Sequence, residues 1–169
     1  HLLKQSGQAT LLVTHDAEEA MFIADRIAVM RDGRNVQTDH PDALYYNPSD
    51  AFVTEFFSDV NRLSSVVEGG AVMTPFGLLP APRLRDGEKA EILIRPEALK
   101  LSKIANEEEG SARVLASRML GRSSLVHLCT CRQIDEELHL HARVPGRFLP
   151  EENEVLQVTL DPTQAFVFP

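Results

Sequence analysis

The sequence has few cysteines, no excess of positive charge and no long apolar run, and each absence excludes a class of protein. Cys129 and Cys131, the only cysteines, stand two apart in a strand-like run and are badly placed to bridge each other. No disulfide framework is therefore implied, and a reducing cytosolic setting is indicated. Lysine and arginine number 17 against 25 aspartates and glutamates, and the formal net charge of −8 makes nucleic acid an unsuitable partner. No stretch approaches the ~18 consecutive apolar residues of a membrane span.

A histidine follows the first apolar run of the sequence. Thr10–Thr14 is β-rich and apolar, which is typical of a strand buried on both faces of a parallel sheet. Asp16 is predicted to cap the next helix, Ala17–Ala24, with Glu19 as its capping-box partner. Taken alone, His15 is most simply a satisfied surface or core residue. Its place at the carboxyl end of a strand also suits a contact with a γ-phosphate oxygen, since ligands gather there in α/β sheets.

A hairpin and two short helices are predicted next. Asp32-Gly33 is typical of a type I′ turn, which would join strands at Ile27–Met30 and Arg34–Thr38. The predicted helices begin at Pro41 and, after a cap at Ser49, at Asp50. They end at Tyr46 and Phe57. The second helix carries a face of Phe52, Phe56 and Phe57 that needs a packing partner. This face is expected to be exposed, and such an apolar surface predicts self-association.

Beyond Asp59 the chain consists of short β-rich runs separated by turn residues, which predicts an all-β unit forming a small closed or nearly closed barrel. We place the domain boundary near Asn61, and we interpret the Pro-rich 79–86 and the acidic 105–110 as connecting loops. The predicted strands are Ser64–Glu68, Ala71–Thr74, Lys89–Arg95, Ala112–Ser117, Ser124–Cys131, Leu138–Val144, Glu154–Leu160 and Ala165–Phe168.

The first sixty residues resemble the end of an importer-type ATP-binding-cassette (ABC) ATPase subunit. The runs that carry the resemblance are Leu12–Asp16, Glu18–Ala20, Ala24–Arg34, Gln37, Pro41, Leu44-Tyr45, Pro48 and Phe52-Val53. The resemblance implies that residues 1–60 are the C-terminal end of an α+β P-loop NTPase domain, the nucleotide-binding domain. It also implies that His15 is the switch histidine that contacts the γ-phosphate of ATP.

The remainder is similar to the TOBE domain, an OB-like all-β barrel that follows such ATPases. The similar runs are Ile92–Leu99, Leu120–Arg122, Leu160–Pro162 and Phe166–Pro169. The resemblance implies that residues 61–169 form a regulatory TOBE barrel. Within the family, Gly121–Val126 and Ala142–Gly146 look most like the iron(III)-importer branch.

Arg95 and Glu97 flank Pro96, and two interpretations of them stay open. Proline ends the strand by removing a ladder donor, so the two charged side chains are predicted to be a fastening pair at the domain junction. The alternative is a ligand role for Arg95.

Four potential metal ligands, Cys129, Cys131, His139 and His141, lie on the two arms of a predicted hairpin. A turn centred near Asp135 sets Cys131 opposite His139 and Cys129 opposite His141. Two sulfurs and two nitrogens suit zinc, but same-face residues two apart in a strand lie about 7 Å apart, too wide for tetrahedral ligands. We therefore predict no metal site, and we interpret the Cys/His face as the outer face of the sheet.

The sequence contains no Gly-x-x-x-x-Gly-Lys-Ser/Thr loop to cradle phosphates. ATP and Mg²⁺ are therefore expected as cofactors of a full-length parent, and this chain alone is expected to hold no cofactor and to lack ATPase activity. The resemblance implies the C-terminal regulatory or dimer-forming segment of the ATP-hydrolysing subunit of a bacterial ABC importer, with iron(III) as the transported solute.

The partners implied by the resemblance are a second copy of the chain, membrane permease subunits and a solute-binding protein, at the cytoplasmic face of the inner membrane. The alternative function is a module that binds a small oxyanion or the transported solute, as in polyamine, sulfate or sugar importers, to regulate transport.

Overall fold

The structure is a computed structural model that describes residues 9–104, 110–130 and 138–169. It divides into two compact units, His1–Ser49 and Asp50–Pro169. No helix in these described ranges has the length and apolar character needed to cross a membrane.

The first unit is built from a helix, a β-hairpin and a second short helix. Its elements are α1 (Ala17–Ile23), β1 (Ile27–Arg31), β2 (Arg34–Asp39) and α2 (Pro41–Tyr46). The turn between the strands has φ of 50° at Asp32 and 75° at Gly33, which confirms the type I′ hairpin. Among the described residues of this unit, Ala20, Ile27, Val29, Leu44 and Pro48 are buried.

The strand predicted over Thr10–Thr14 is absent from the structure, so that prediction is wrong for this chain. Residues 9–14 form no regular element, and the side chains of Leu11 and Val13 are 91% and 88% exposed. A strand of a parallel sheet needs neighbours on both sides to pair its backbone groups. In the described structure, β1 and β2 form a two-stranded sheet of their own and provide no such neighbour.

The second unit begins with helix α3 (Ala51–Phe57), whose cap differs from the prediction. The N-cap is Asp50, whose carboxylate accepts a hydrogen bond from the Val53 N–H at 3.0 Å. The Ser49 N–H donates instead to the Gln37 side chain at 2.8 Å. Because the two units divide between Ser49 and Asp50, the boundary predicted near Asn61 falls inside the second unit, after α3.

Within the described residues ten strands follow, and they form two five-stranded antiparallel sheets. The strands are β3 (Asn61–Glu68), β4 (Ala71–Thr74), β5 (Gly77–Pro80), β6 (Lys89–Ile94), β7 (Leu99–Lys103), β8 (Ser111–Met119), β9 (Ser123–Thr130), β10 (Leu138–Pro145), β11 (Val155–Leu160) and β12 (Ala165–Phe168).

The first sheet has the order β12-β6-β3-β4-β5, and the second has the order β10-β9-β8-β11-β7. In each sheet the two end strands also approach each other, β12 with β5 and β10 with β7, so both sheets curl towards closure. The all-β prediction is confirmed, and the two curled sheets are consistent with the predicted small barrel. One continuous cluster of buried side chains is shared by both sheets.

Two of these strands were missed by the sequence analysis. The strand Gly77–Pro80 overlaps the start of the Pro-rich segment 79–86, which the turn residues predict to be a connecting loop. Proline is tolerated at Pro80 because β5 is the end strand of its sheet. Leu99–Lys103 alternates apolar and polar residues, so a signal for β7 was present directly after the 3₁₀ turn Pro96–Ala98.

Candidate functional site

His15 lies in the turn that leads into α1, and its side chain is exposed. Asp16 caps the helix as predicted, because its carboxylate accepts from the Glu19 N–H at 2.9 Å. The second hydrogen bond of the capping box is replaced, since the Asp16 N–H donates to the Thr14 hydroxyl at 3.1 Å. These two contacts fix the backbone on either side of His15.

The exposed imidazole of His15 is accessible to a phosphate oxygen approaching from solvent. It is the single phosphate-contacting side chain that the resemblance assigns to this chain, and the sequence contains no P-loop to hold the rest of a nucleotide. If His15 has the role that the resemblance implies, it would act on a phosphate held by other parts of a nucleotide site. The switch role of His15 stays a prediction.

Arg95 is fully buried, at the end of β6. Its guanidinium lies over the Phe166 ring, 5.0 Å from the centroid. Its backbone N–H donates to the Gln164 carbonyl at 3.2 Å, and its own carbonyl accepts from the Ala98 N–H at 2.9 Å. A cation–π contact in a closed environment favours a packing role for this side chain. A ligand role for Arg95 stays an untested alternative.

Glu97 forms an ion pair with Arg143, and the predicted fastening of Glu97 with Arg95 at the domain junction stays a prediction. The Arg143 guanidinium of β10 lies 3.4 Å from the Glu97 carboxylate and 3.3 Å from the Asp59 carboxylate. The three groups link the 3₁₀ turn, β10 and the segment after α3. Because the Arg143 and Glu97 side chains are each 35% exposed, solvent screens the pair and each contact contributes about 1 kcal/mol or less.

The predicted Cys/His hairpin forms, but its register differs from the prediction. The structure pairs Cys129 with His139 and His127 with His141, a shift of two residues from the predicted pairing of Cys129 with His141. Alternation fixes which face a side chain occupies, whereas a slip of two residues keeps the face and changes every partner. Cys131 lies outside the described residues.

His139 and His141 lie exposed on the outer face as predicted, whereas Cys129 is buried. The inward residues Val126, Leu128, Leu140 and Ala142 are fully buried, and His139 and His141 are exposed on the other side. Cys129 shares their face but is only 3% exposed. Among the residues that the structure describes, no three His, Cys, Asp or Glu side chains are arranged to hold a metal ion.

The sequence analysis missed His127, which joins His139 and His141 in what we call the histidine cluster. The Nε2 atom of His127 lies 3.2 Å from Nδ1 of His139, and the His127 and His141 rings stack with centroids 4.7 Å apart. Burial lowers the pKa of His127, and the two neighbouring imidazoles lower it further. The signal was available, because His127 precedes Cys129 by two residues and shares its face.

Residues 92–168 match the family described as the TOBE domain. The Fe(3+) ions import ATP-binding protein FbpC of Pseudomonas fluorescens is 37% identical over 148 residues, which cover 88% of this chain and 40% of that protein. The protein of the same name from Streptomyces avermitilis is 34% identical over 161 residues, 95% of this chain and 45% of that protein. The chain therefore spans less than half the length of these curated relatives.

A solved structure of a cytoplasmic molybdate-binding protein, ModG, aligns with 64% of this chain and 94% of its own at a TM-score of 0.43 and 9% identity. The sequence similarity runs through both units, from the His15 segment to the last strand, and includes the TOBE match in the second unit. The chain belongs to the family of ABC-importer ATP-binding proteins that carry a TOBE domain.

Proposed function

We propose that this chain is the C-terminal regulatory segment of the ATP-hydrolysing subunit of a bacterial importer for iron(III). The observation that carries the proposal is the similarity to Fe(3+) import ATP-binding proteins over 88% to 95% of the chain at 34% to 37% identity. The similarity includes the His15 segment as well as the strands. The iron(III) assignment rests on these relatives because they match 88% and 95% of the chain. A relative named for sulfate/thiosulfate import matches only 57% of it.

In the assembled subunit, His15 would contact the γ-phosphate of ATP and keep the attacking water in line. The P-loop and the side chains that bind Mg²⁺ would be supplied by parts of the protein outside this sequence. The hydrogen bonds of Thr14 and Asp16 support this role because they hold the histidine at the start of α1. Closure of two nucleotide-binding domains around ATP would be transmitted to membrane permease subunits at the cytoplasmic face of the inner membrane.

A second copy of the chain is the partner we propose for self-association. The phenylalanine face of α3 does not supply the surface, because Phe57 is buried and Phe52 and Phe56 are half-buried, with ring centroids 6.4 Å apart. The expectation that this face is exposed is wrong. Large apolar side chains are exposed elsewhere, at Leu11, Val13 and Phe22 in the first unit. Light scattering that gives a strict monomer would count against a second copy.

A chimera tests the proposed function directly. This chain replaces the corresponding segment of the Pseudomonas fluorescens relative, and the chimera is introduced into cells that lack their own copy. We expect iron(III) uptake to be restored and the variant with His15→Ala to restore none, at equal protein levels. Uptake that is restored equally well by both versions would contradict the switch role, and failure of the folded chimera to support any iron(III) uptake would contradict the proposed function.

Calorimetry on the same chain distinguishes the proposed function from the alternative, a module that binds a small oxyanion or the transported solute. Titrations with an iron(III) chelate, molybdate, sulfate and spermidine are expected to release no heat beyond dilution. Saturable binding of one of them would favour the binding module.

A further inference from the structure

We propose that His127 and His139 form a cross-strand chelate for a divalent transition-metal ion such as Zn²⁺ or Ni²⁺ on the outer face of the second sheet. Imidazole nitrogen is a preferred ligand of these ions. The proposal does not depend on the transport function, because it concerns only side chains of β9 and β10.

The distance between the two ring nitrogens suits a shared ion. His127 Nε2 and His139 Nδ1 are 3.2 Å apart, in a contact where one ring donates its proton to the other. Zinc–nitrogen bonds of 2.0–2.1 Å place two ligand nitrogens about 3.3 Å apart at a tetrahedral angle and about 2.9 Å apart at a right angle. An ion can therefore take the place of the shared proton with little movement of the strands.

The backbone beneath the cluster is held in place. The strands β9 and β10 pair in continuous register from Ser123 to Thr130, and the side chain of Asn61 bonds both the N–H and the carbonyl of His141, at 2.7 and 2.9 Å. Such support lets two side chains bind an ion without ordering a loop. The ring of His141, stacked on His127, is the nearest further imidazole.

The surroundings set the character of the site. His139 and His141 are exposed, so an ion and its waters have access from solvent. Since no three ligand side chains converge within the described residues, water would complete the coordination. Arg113 on β8 pairs with Cys129 on β9, and Arg143 follows His141 by two residues on β10. These cations weaken the binding of a positive ion, so the affinity is below that of a closed four-ligand site.

The test begins with the unaltered chain. Zinc is titrated at neutral pH while the imidazole ¹⁵N resonances are followed, with Mg²⁺ as a hard cation that prefers oxygen ligands. We expect the resonances of His127 and His139 to shift together at one equivalent, to return on adding a chelator, and not to respond to Mg²⁺. If neither ring responds to millimolar zinc, the proposal is overturned, and this result needs no variant to fold.

Variants then identify the ligands. His127→Gln and His139→Gln are each expected to weaken zinc binding at least about tenfold. His40→Gln removes an imidazole from the other unit, where its Nδ1 contacts the Asp25 carbonyl, and is expected to leave zinc binding unchanged. Zinc affinity that survives in the folded double variant of His127 and His139 would also overturn the proposal.

Discussion

Single buried polar residues decide which strands of the second unit meet. Asn61 is 5% exposed at the start of β3, and its side chain bonds the Ile94 carbonyl of its own sheet. The same amide bonds the N–H and carbonyl of His141 in the other sheet. The free backbone edge of β10 is thereby satisfied by a side chain from the neighbouring sheet, which joins the two sheets at this point.

Replacing this residue tests the joint. Asn61→Ala removes three hydrogen bonds and is expected to lower the free energy of unfolding by about 2 kcal/mol or more, since buried backbone groups lose their partners. Urea unfolding measures the effect. The control is Ser64→Ala, an exposed position of the same strand, which should change stability by less than about 0.5 kcal/mol. Equal effects of the two variants would show that Asn61 does not join the sheets.

The histidine cluster predicts a pH dependence of stability. The pKa of His127 is lowered from its ordinary 6.5 by burial and by His141 and His139. The folded protein therefore binds this proton less tightly than the unfolded chain does, and stability is lost as the pH falls from 6.5 towards the lowered pKa. The cations Arg113 and Arg143 on the same face act in the same direction.

Unfolding free energies at about pH 7.5 and about pH 5.5 are expected to differ, with the lower value at acid pH, and His127→Gln should reduce the difference. The acidic groups with lowered pKa, Glu154 and Asp161, have ordinary values of 4.5 and 3.8 and lose their stabilising effect at lower pH. The two contributions are thus separated along the pH axis. An unchanged pH slope in His127→Gln would assign the loss to other groups.

Turns and helix caps are governed by local chemistry, and the sequence predicts their positions to within one residue. The type I′ turn at Asp32-Gly33 and the cap at Asp16 were both predicted correctly. For α3 the predicted cap was Ser49, whereas Asp50 performs that role. Both residues are good caps, and the choice depends on where the chain enters the helix, which adjacent residue types leave open.

The cap assignment is tested by a matched pair of variants. Asp50→Ala is expected to destabilise the second unit by about 1 kcal/mol, because the Val53 N–H loses its acceptor. Ser49→Ala should cost less than about 0.5 kcal/mol, since the backbone N–H of that residue, which donates to Gln37, is retained. Thermal unfolding followed by circular dichroism compares the two. A larger effect of Ser49→Ala would identify Ser49, the cap predicted from the sequence, as the residue that caps the helix.

The whole chain is expected to turn over no ATP by itself. Its sequence has no P-loop, so no lysine and no backbone cradle neutralise the β- and γ-phosphates, and one histidine cannot replace them. Phosphate release from the purified chain with ATP and Mg²⁺ measures this, with the chimera described above as the positive control. Turnover above buffer that His15→Ala abolishes would contradict the expectation.

At the same scale, the sequence by itself determined the elements whose signals are local: the hairpin of β1 and β2, the cap at Asp16, and the alternation of faces along β9 and β10. Family resemblance added the importer ATPase and TOBE assignments, because those motifs are runs of adjacent residues. None of these depends on a distant partner. A turn needs a positive φ, a cap needs an oxygen, and a strand face follows from alternation.

Only the tertiary structure decided the register of β9 and β10, the division of the strands into two sheets, the joint at Asn61 and the inclusion of His127 in the histidine cluster. Each of these is a pairing between residues far apart in the chain. Several pairings preserve the same alternation of buried and exposed residues, and the packing of the whole second unit selects one of them.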